Sequence, residues 1–220
     1  MSLFSSEEES LLQRVFSHVE KTLEGAPSCH DFAHTLRVFA HAKKLLEMEK
    51  ADKSVSLAVH LSALLHDIAR PQEMASEGKV CHAALGGKMV PGILRSLGVK
   101  DENLIKTIAN AVSRHRFRGK NKPENEVDRI LYDADKLDSI GAVGIGRAFH
   151  FAGRVGAALH NTKEEALASP PYGKGDTAYR EYLVKLQFVP ERMLTESGKL
   201  LAKERKEYMD EFFRRMDDSL

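Results

Sequence analysis

Residues 54–69 read SVSLAVHLSALLHDIA, and this stretch is apolar around almost the whole circumference of a helix. A helix with apolar side chains on every side is typical of the centre of a fold rather than of its surface. Pro71 follows closely, and the residue before a proline is disfavoured in helical conformation. The sequence therefore predicts a central buried helix over about 54–69, with other helices packed around it.

The rest of the chain has the same helical periodicity, with few alternating, strand-like runs. Residues 153–175 are an exception, because they carry glycine, proline and serine and predict a long loop. The predicted fold class is all-α, a compact helical bundle with a C-terminal helical extension. The other helices are predicted at about 7–23, 28–48 with Ser28 as the N-cap, 82–97, 102–114, 126–137, 139–152, 177–186 and 190–216.

The composition is that of a soluble globular protein, with 42% hydrophobic and 30% charged residues. No stretch approaches the roughly 20 apolar residues that cross a bilayer, and the acidic N-terminus lacks the apolar core of a signal peptide. Cys29 and Cys81 are too few for a disulfide framework and fit a reducing compartment. The net charge of +1 provides no basic field that would draw the protein onto nucleic acid. We therefore expect a cytoplasmic protein without a membrane or nucleic-acid partner.

Histidine and aspartate residues mark a candidate metal site. His66 and Asp67 are adjacent at the end of the buried helix, where ionisable side chains are rare unless they are paired or bind a metal. His34 lies on the preceding predicted helix, and Asp135 lies on a later one. Each of these residues alone also fits an ordinary core or surface group. Together they form a mixed nitrogen and oxygen set that suits Mn, Fe, Co, Ni, Zn or Mg ions better than a thiolate-seeking metal.

Three segments resemble the HD-domain metal phosphohydrolase superfamily: HDFAHTLRV at 30–38, ALLHDI at 63–68 and DADKLD at 133–138. A fourth, DKLDSIGAVGIGRAF at 135–149, is similar to a branch of small bacterial-type members. Some members of that branch cleave nucleoside triphosphates to the monophosphate and pyrophosphate. The resemblance covers nearly the whole chain.

This resemblance also implies a domain organisation. It predicts a single HD-type hydrolase domain over residues 1–220, a length that allows one sizeable hydrophobic core. The metal-binding core is expected at about 28–152, and the C-terminal helical extension is expected at about 176–218.

By the same resemblance, the metal ligands are His34, His66, Asp67 and Asp135. They are expected to bind one divalent ion, which could be Mn, Mg, Co, Ni, Fe or Zn. Asp67 and His66 are also the implied catalytic residues: Asp67 helps to deprotonate or orient the attacking water, and His66 holds Asp67 in place. A divalent ion lowers the pKa of bound water and neutralises phosphoryl oxygens, which is the chemistry that phosphoester cleavage requires.

Two further histidines raise the question of a second ion. His82 and His115 fall where some members of the superfamily place additional histidines, which bind a second metal or contact the substrate. Both lie near predicted helix ends, so a surface or helix-capping role is an equally open interpretation. The expected cofactor is therefore one divalent ion, with a second allowed.

Cationic side chains near the ligands are candidates for binding substrate phosphates. Lys136 directly follows one expected ligand, and Arg37 lies one turn after another. Arg114 begins a basic cluster that ends at Lys122 and is a second candidate. For residues 118–122 a solvated loop is the simpler interpretation.

These features favour a divalent-metal-dependent phosphohydrolase that acts on a small phosphorylated substrate. The leading substrate class is nucleotides, cleaved from the triphosphate to the monophosphate and pyrophosphate. A nucleoside monophosphate phosphatase or another phosphoester hydrolase is the alternative within this class. A non-catalytic nucleotide- or metal-binding module and a di-iron oxygenase are alternatives from other classes. A homodimer is also open, because the C-terminal helix is long and charged.

Overall fold

The computed structural model describes residues 4–25, 31–117 and 121–219. In these ranges the regular secondary structure is helical and no strand occurs, which confirms the predicted all-α class. Ser28, the predicted N-cap, and Cys29 lie outside the described residues. The described α-helices are α1 Ser6–Thr22, α2 Phe32–Glu49, α3 Lys53–Leu65, α4 Arg70–Ala75, α5 His82–Ser96, α6 Glu102–Arg114, α7 Glu126–Leu137, α8 Gly141–Arg154, α9 Lys163–Ala168, α10 Ala178–Val184 and α11 Glu196–Asp217.

The central helix is α3, and every residue at positions 58–65 is buried. It packs against α1, α2 and α6. The helix ends at Leu65, four residues before the predicted end, and Pro71 lies in the first turn of α4 instead. A proline is tolerated there because the first amide groups of a helix have no partner within it. Pro71 therefore begins a new helix rather than closing the old one.

A tight turn joins α3 to α4 and carries two of the expected metal ligands. The amide of Ile68 donates to the carbonyl of Leu65, and the amide of Arg70 donates to the carbonyl of Asp67. His66 and Asp67 consequently lie just beyond the helix, with their backbone held by its last turn. This turn keeps both side chains at the buried end of α3.

Helix α2 begins later than predicted. Asp31 is its N-cap, and the side chain of Asp31 accepts a hydrogen bond of 2.9 Å from the amide of His34. Aspartate is among the strongest N-cap residues, and with Asp31 as the cap the first turn of α2 begins at Phe32. The prediction of a helix from Ser28 is therefore wrong at its N-terminal boundary. The observed cap orients the first turn, and His34 lies in that turn.

Helices α5 and α6 form a closely packed antiparallel pair. A Cβ atom at Gly87 would lie 2.7 Å from the Cβ of Ser113, so only glycine allows this approach. Because the two helices run in opposite directions, the start of α5 and the end of α6 lie at the same end of the pair. His82 is the first residue of α5, and His115 directly follows α6.

The C-terminal part departs from the prediction in two places. The predicted loop at 153–175 contains the short helix α9, which begins with a capping box formed by Thr162 and Glu165. The predicted helix at 190–216 begins only at Glu196, where Thr195 caps α11. Before it, Pro190–Arg192 forms a 3₁₀ turn. Both boundaries follow from local side-chain caps rather than from apolar periodicity.

The chain divides into two compact units, Met1–Asp135 and Lys136–Leu220. In the second unit, the aromatic side chains of Tyr182 and Phe213 stack with ring centroids 4.6 Å apart and join α10 to α11. The single-domain organisation with its core at 28–152 stays a prediction. Among the described helices, none is both long and apolar enough to cross a membrane.

Candidate metal centre

Six ionisable side chains meet at the ends of the helices around α3. Five of them are at most 1% exposed, and the side chain of the sixth, Asp135, is 17% exposed. Burying so many ionisable groups is costly unless they pair with one another or bind a cation. They are His34 in α2, His66 and Asp67 in the turn after α3, His82 at the start of α5, His115 directly after α6, and Asp135 in α7.

His34, His66 and Asp67 form a first triad. The Nε2 atoms of the two histidines are 3.2 Å apart, and they lie 3.6 Å and 3.7 Å from Oδ2 of Asp67. Asp135 approaches the same group, with its Oδ1 atom 3.6 Å from Nε2 of His34. One ligand atom from each member of the triad lies within 4.8 Å of the others, a spacing that can hold a metal ion.

Asp67 also belongs to a second triad, with His82 and His115. Its other oxygen, Oδ1, is 3.1 Å from Nε2 of His82 and 3.7 Å from Nε2 of His115. The two imidazole nitrogens are 3.1 Å apart. The ligand atoms of this triad also lie within 4.8 Å of one another. The carboxylate of Asp67 is therefore shared, with one oxygen facing each triad.

The hydrogen bonds that His66 and His115 make on the side facing away from the centre show which ring nitrogens can bind a metal. Nδ1 of His66 is 2.8 Å from the carbonyl of Ala63, and Nδ1 of His115 is 2.7 Å from the carbonyl of Val112. A carbonyl oxygen only accepts hydrogen bonds, so Nδ1 carries the proton in each ring. Nε2 of each ring then presents a lone pair towards the centre, as in metal-binding histidines.

Burial keeps the rings of His66 and His82 neutral. Burial lowers the pKa of His66 to about 3, and the opposing attraction of Asp67 does not compensate. Burial likewise lowers the pKa of His82, against the effect of its contact with Asp67. A neutral imidazole is the form that binds a metal ion.

The donor set fits divalent cations. His82 donates from Nδ1 to the carboxylate of Glu73 at 2.7 Å, so its Nε2 atom also presents a lone pair. Nε2 of His82 and Nε2 of His115 therefore face each other at 3.1 Å, an arrangement that a nearby positive charge stabilises. Imidazole nitrogens with carboxylate oxygens are donors for Mn, Fe, Co, Ni and Zn ions.

A polar network that the sequence reasoning did not predict surrounds the second triad. Arg70 places Nε 2.9 Å from Oδ2 of Asp67 and donates from Nη1 to Glu73 at 2.7 Å. Arg116 donates to the other oxygen of Glu73 at 2.9 Å. Burial opposes ionisation of Glu73, but the nearby His82 and Arg70 outweigh it and hold the pKa of Glu73 at about 2. The sequence feature that could have indicated this network is the position of Arg70 and Glu73, three and six residues after Asp67.

The predicted phosphate-binding residues lie in different environments. Arg37 in α2 and Lys136 in α7 are half-buried. Arg114 pairs at 2.9 Å with the buried Asp128 and at 2.8 Å with Glu124, so a phosphate at Arg114 would compete with two carboxylates. Residues 118–120 of the basic cluster lie outside the described residues. The assignment of all three cations to phosphate binding stays a prediction.

Comparison with known proteins identifies relatives over nearly the whole chain. The model of the HD domain family matches residues 31–140. YpgQ of Bacillus subtilis (strain 168), an uncharacterized protein, is 30% identical over 212 residues, which are 94% of this chain and 93% of YpgQ.

Solved structures give the same result. The crystal structure of Bacillus subtilis YpgQ in complex with ADP is 28% identical, with a TM-score of 0.70 and coverage of 97% of this chain and 96% of that one. A predicted HD superfamily hydrolase from an uncultured Thermotogales bacterium is 26% identical, with a TM-score of 0.67 and coverage of 94% and 91%. These coverages exceed the part of the chain, residues 31–140, that the family model matches.

Proposed function

The chain belongs to the HD domain family and is an HD-superfamily hydrolase, and from this premise we propose that it is a divalent-metal-dependent phosphohydrolase. We further propose that it cleaves nucleoside triphosphates to the monophosphate and pyrophosphate. The observation that carries this proposal is the pair of buried triads that share Asp67. The structure of the relative YpgQ in complex with ADP supports a nucleotide as the substrate class.

The proposed ligands divide between two ions. His34, His66 and Asp135 would hold the first ion together with Oδ2 of Asp67. The second triad would hold the other ion through Oδ1 of Asp67. When bound, divalent ions supply Lewis acidity, which lowers the pKa of water and neutralises phosphoryl oxygens.

Side chains of the protein are proposed to position the attacking water and the substrate phosphates. Asp67 is proposed to deprotonate or orient the attacking water, and Arg70 restrains that carboxylate through the 2.9 Å contact of its Nε atom. Lys136 and Arg37 are proposed to bind phosphate oxygens, because each lies on the same helix as a proposed ligand. Catalysis of phosphoryl transfer depends mostly on such positioning and charge stabilisation.

A matrix of metals and substrates tests this function. Chelator-treated protein would be incubated with Mn²⁺, Mg²⁺, Co²⁺, Ni²⁺ or Zn²⁺ and with nucleoside mono-, di- or triphosphates, and pyrophosphate and phosphate would be assayed separately. We expect metal-dependent release of pyrophosphate from triphosphates. Phosphate release from monophosphates would instead identify a nucleotidase. Metal binding without any turnover would favour the non-catalytic binding module.

Asp67→Asn is the decisive variant in this assay. We expect a loss of activity of about a thousandfold or more, because the substitution weakens both triads at once. Glu102→Gln is the matched control, since it also neutralises one carboxylate but on the exposed surface, where Glu102 pairs with Arg95 at 2.7 Å. Activity of Asp67→Asn within tenfold of the wild type would contradict the proposed role of Asp67.

The second triad also makes a di-iron oxygenase a distinct candidate, because two adjacent His and Asp groups can hold two iron ions. The two functions differ in their need for oxygen. Full activity of a colourless Mn²⁺-loaded protein under nitrogen would exclude the oxygenase. Oxygen consumption by an iron-loaded, visibly coloured protein would exclude the hydrolase as the sole function.

A further inference from the structure

Glu73 receives hydrogen bonds from three different segments of the first unit. Its Oε2 atom accepts from Nδ1 of His82 at 2.7 Å and from Arg70 at 2.7 Å. Its Oε1 atom accepts from Arg116 at 2.9 Å and from the backbone amide of His82 at 3.3 Å. Glu73 therefore holds both the backbone and the ring of His82, and two guanidinium groups hold Glu73.

Glu73 differs from the groups that orient the other rings. His66 and His115 donate from Nδ1 to backbone carbonyls of the helices that they follow, and those carbonyls are fixed by the helices themselves. His82 instead donates to a side chain nine residues earlier in the chain. The orientation of His82 consequently depends on a residue that a single substitution can remove.

A second neighbour of Nδ1, Arg116, determines which ring nitrogen of His82 would carry the proton if Glu73 were absent. Nη1 of Arg116 lies 3.4 Å from Nδ1 of His82. A guanidinium group only donates hydrogen bonds, so without Glu73 it would favour a bare Nδ1 and a proton on Nε2. That proton would be donated to Oδ1 of Asp67, 3.1 Å away, and Nε2 could no longer bind a metal ion.

We propose that Glu73 is the positioning residue of the second triad, which keeps the proton of His82 on Nδ1 and offers its Nε2 atom to a divalent cation. The inference rests on the proposed function, because it deepens the role of the second triad. It assigns Glu73 no contact with the substrate. A carboxylate behind a metal-binding histidine both fixes the ring and raises its basicity.

The tautomer of His82 can be measured in the full-length, metal-free protein, so this test does not depend on the proposed function. Long-range ¹H–¹⁵N correlation spectra distinguish a proton on Nδ1 from one on Nε2. We expect the Nδ1 proton in the wild type and in the control Glu102→Gln, and the Nε2 proton in Glu73→Ala. Glu73→Gln should retain the wild-type tautomer largely, because its amide oxygen can still accept from Nδ1.

A double variant separates positioning from a general loss of structure. Adding Arg116→Met to Glu73→Ala removes the guanidinium group that favours the wrong tautomer, so we expect part of the Nδ1-protonated form to return. A purely structural role of Glu73 predicts a further loss of order instead. An unchanged Nδ1 proton in Glu73→Ala would overturn the inference.

Metal titration gives the second readout. Calorimetry with Mn²⁺ should reveal two sites in the wild type, one of which weakens by about 10- to 100-fold in Glu73→Ala while the other is unchanged. If both sites of the variant kept their wild-type affinities, the role of Glu73 would be overturned. A wild type with a single site would contradict the two-ion proposal, and the tautomer measurement would then still decide the role of Glu73.

Discussion

His60 is a buried histidine that belongs to neither triad. Its side chain lies in α3, packs edge-on against Phe39 with ring centroids 4.9 Å apart, and contacts the carbonyl of Ser56 through Nδ1 at 2.7 Å. Burial lowers the pKa of His60, and the hydrogen bond with Ser56 only partly opposes this effect. At this position a neutral ring packs well, whereas a charged ring would be poorly solvated.

The stability of the protein should therefore fall on acidification. The pKa of His60 in the folded state is below its ordinary value of 6.5, so the unfolded state binds more protons below that pH. The free energy of unfolding should then decrease as the pH falls below about 6.5, by at most about 1.4 kcal/mol per pH unit for this one group. Urea unfolding at pH 8, 7, 6 and 5.5 with chelator present would measure this decrease.

His60→Leu provides the comparison that isolates this residue. His66 also has a lowered pKa and contributes a decrease of the same sign in both proteins. The decrease between pH 7 and pH 5.5 should be smaller in the variant. The same decrease in both proteins would show that His60 does not titrate differently on folding.

At the scale of residues, the members of the first triad could be predicted from the sequence, whereas the network behind the second triad could not. His66 and Asp67 could be predicted because a charged pair at the end of an apolar helix is unusual, whatever the exact helix boundary. Glu73 could not, because its role depends on α4, and the sequence predicts no helix over residues 70–75. A second-triad role for His82 was predicted only as one of two interpretations.

At the scale of the element, two glycines of α8 have opposite environments. A Cβ atom at Gly144 would lie 2.3 Å from the carbonyl oxygen of Ser139, which belongs to the backbone just before the helix. A Cβ atom at Gly146 would meet nothing within 4 Å. Only Gly144 is therefore required by the local packing.

These environments predict stability changes of opposite sign. Gly144→Ala should lower the free energy of unfolding by about 1–3 kcal/mol, since the added methyl group must displace backbone. Gly146→Ala should raise it by roughly 0.5–1 kcal/mol, because alanine loses less entropy in a helix interior. Parallel urea unfolding of the two variants is the measurement. A similar loss in both would indicate that Gly146 has a packing role as well.

The boundaries of α6 could be predicted from the sequence. The predicted range 102–114 agrees with α6, whose N-cap Asp101 accepts from two backbone amides. Helix α9 was missed because it is only six residues long and its capping box lies inside a segment rich in glycine and proline. The predicted helix 54–69 is longer than α3, because Pro71 predicts a helix end from the sequence alone, although a proline also suits a helix start.

At the scale of the whole molecule, ligand binding and folding are linked. The triads draw on α2, α5, α6 and the α3–α4 turn, which are far apart in sequence and are brought together only by folding. A cation that binds the folded centre and not the unfolded chain stabilises the fold by mass action. The all-α class followed from the sequence, and the residues that the sequence groups as metal ligands lie close together in the structure. The division into two compact units did not follow from the sequence, since no linker composition marks residue 135.

Metal should therefore raise the melting temperature. At a concentration about 100 times its Kd, one ion adds about 2.7 kcal/mol of stability, which corresponds to roughly 5–10 °C for a chain of this size. Differential scanning calorimetry with Mn²⁺ and with chelator would measure the shift. The shift should be nearly abolished in Asp67→Asn and retained in Glu102→Gln. An equal shift in all three proteins would place the stabilising ion elsewhere.

The shared carboxylate of Asp67 has a consequence for how this centre tolerates random mutation. Damage at His82 or His115 leaves the contacts among His34, His66 and Asp67 in place. Damage at Asp67 removes a member of both triads. Under genetic drift the centre would thus be lost unevenly. A single substitution at His82 or His115 would leave the residues of a one-ion site, whereas a single substitution at Asp67 would disrupt both triads.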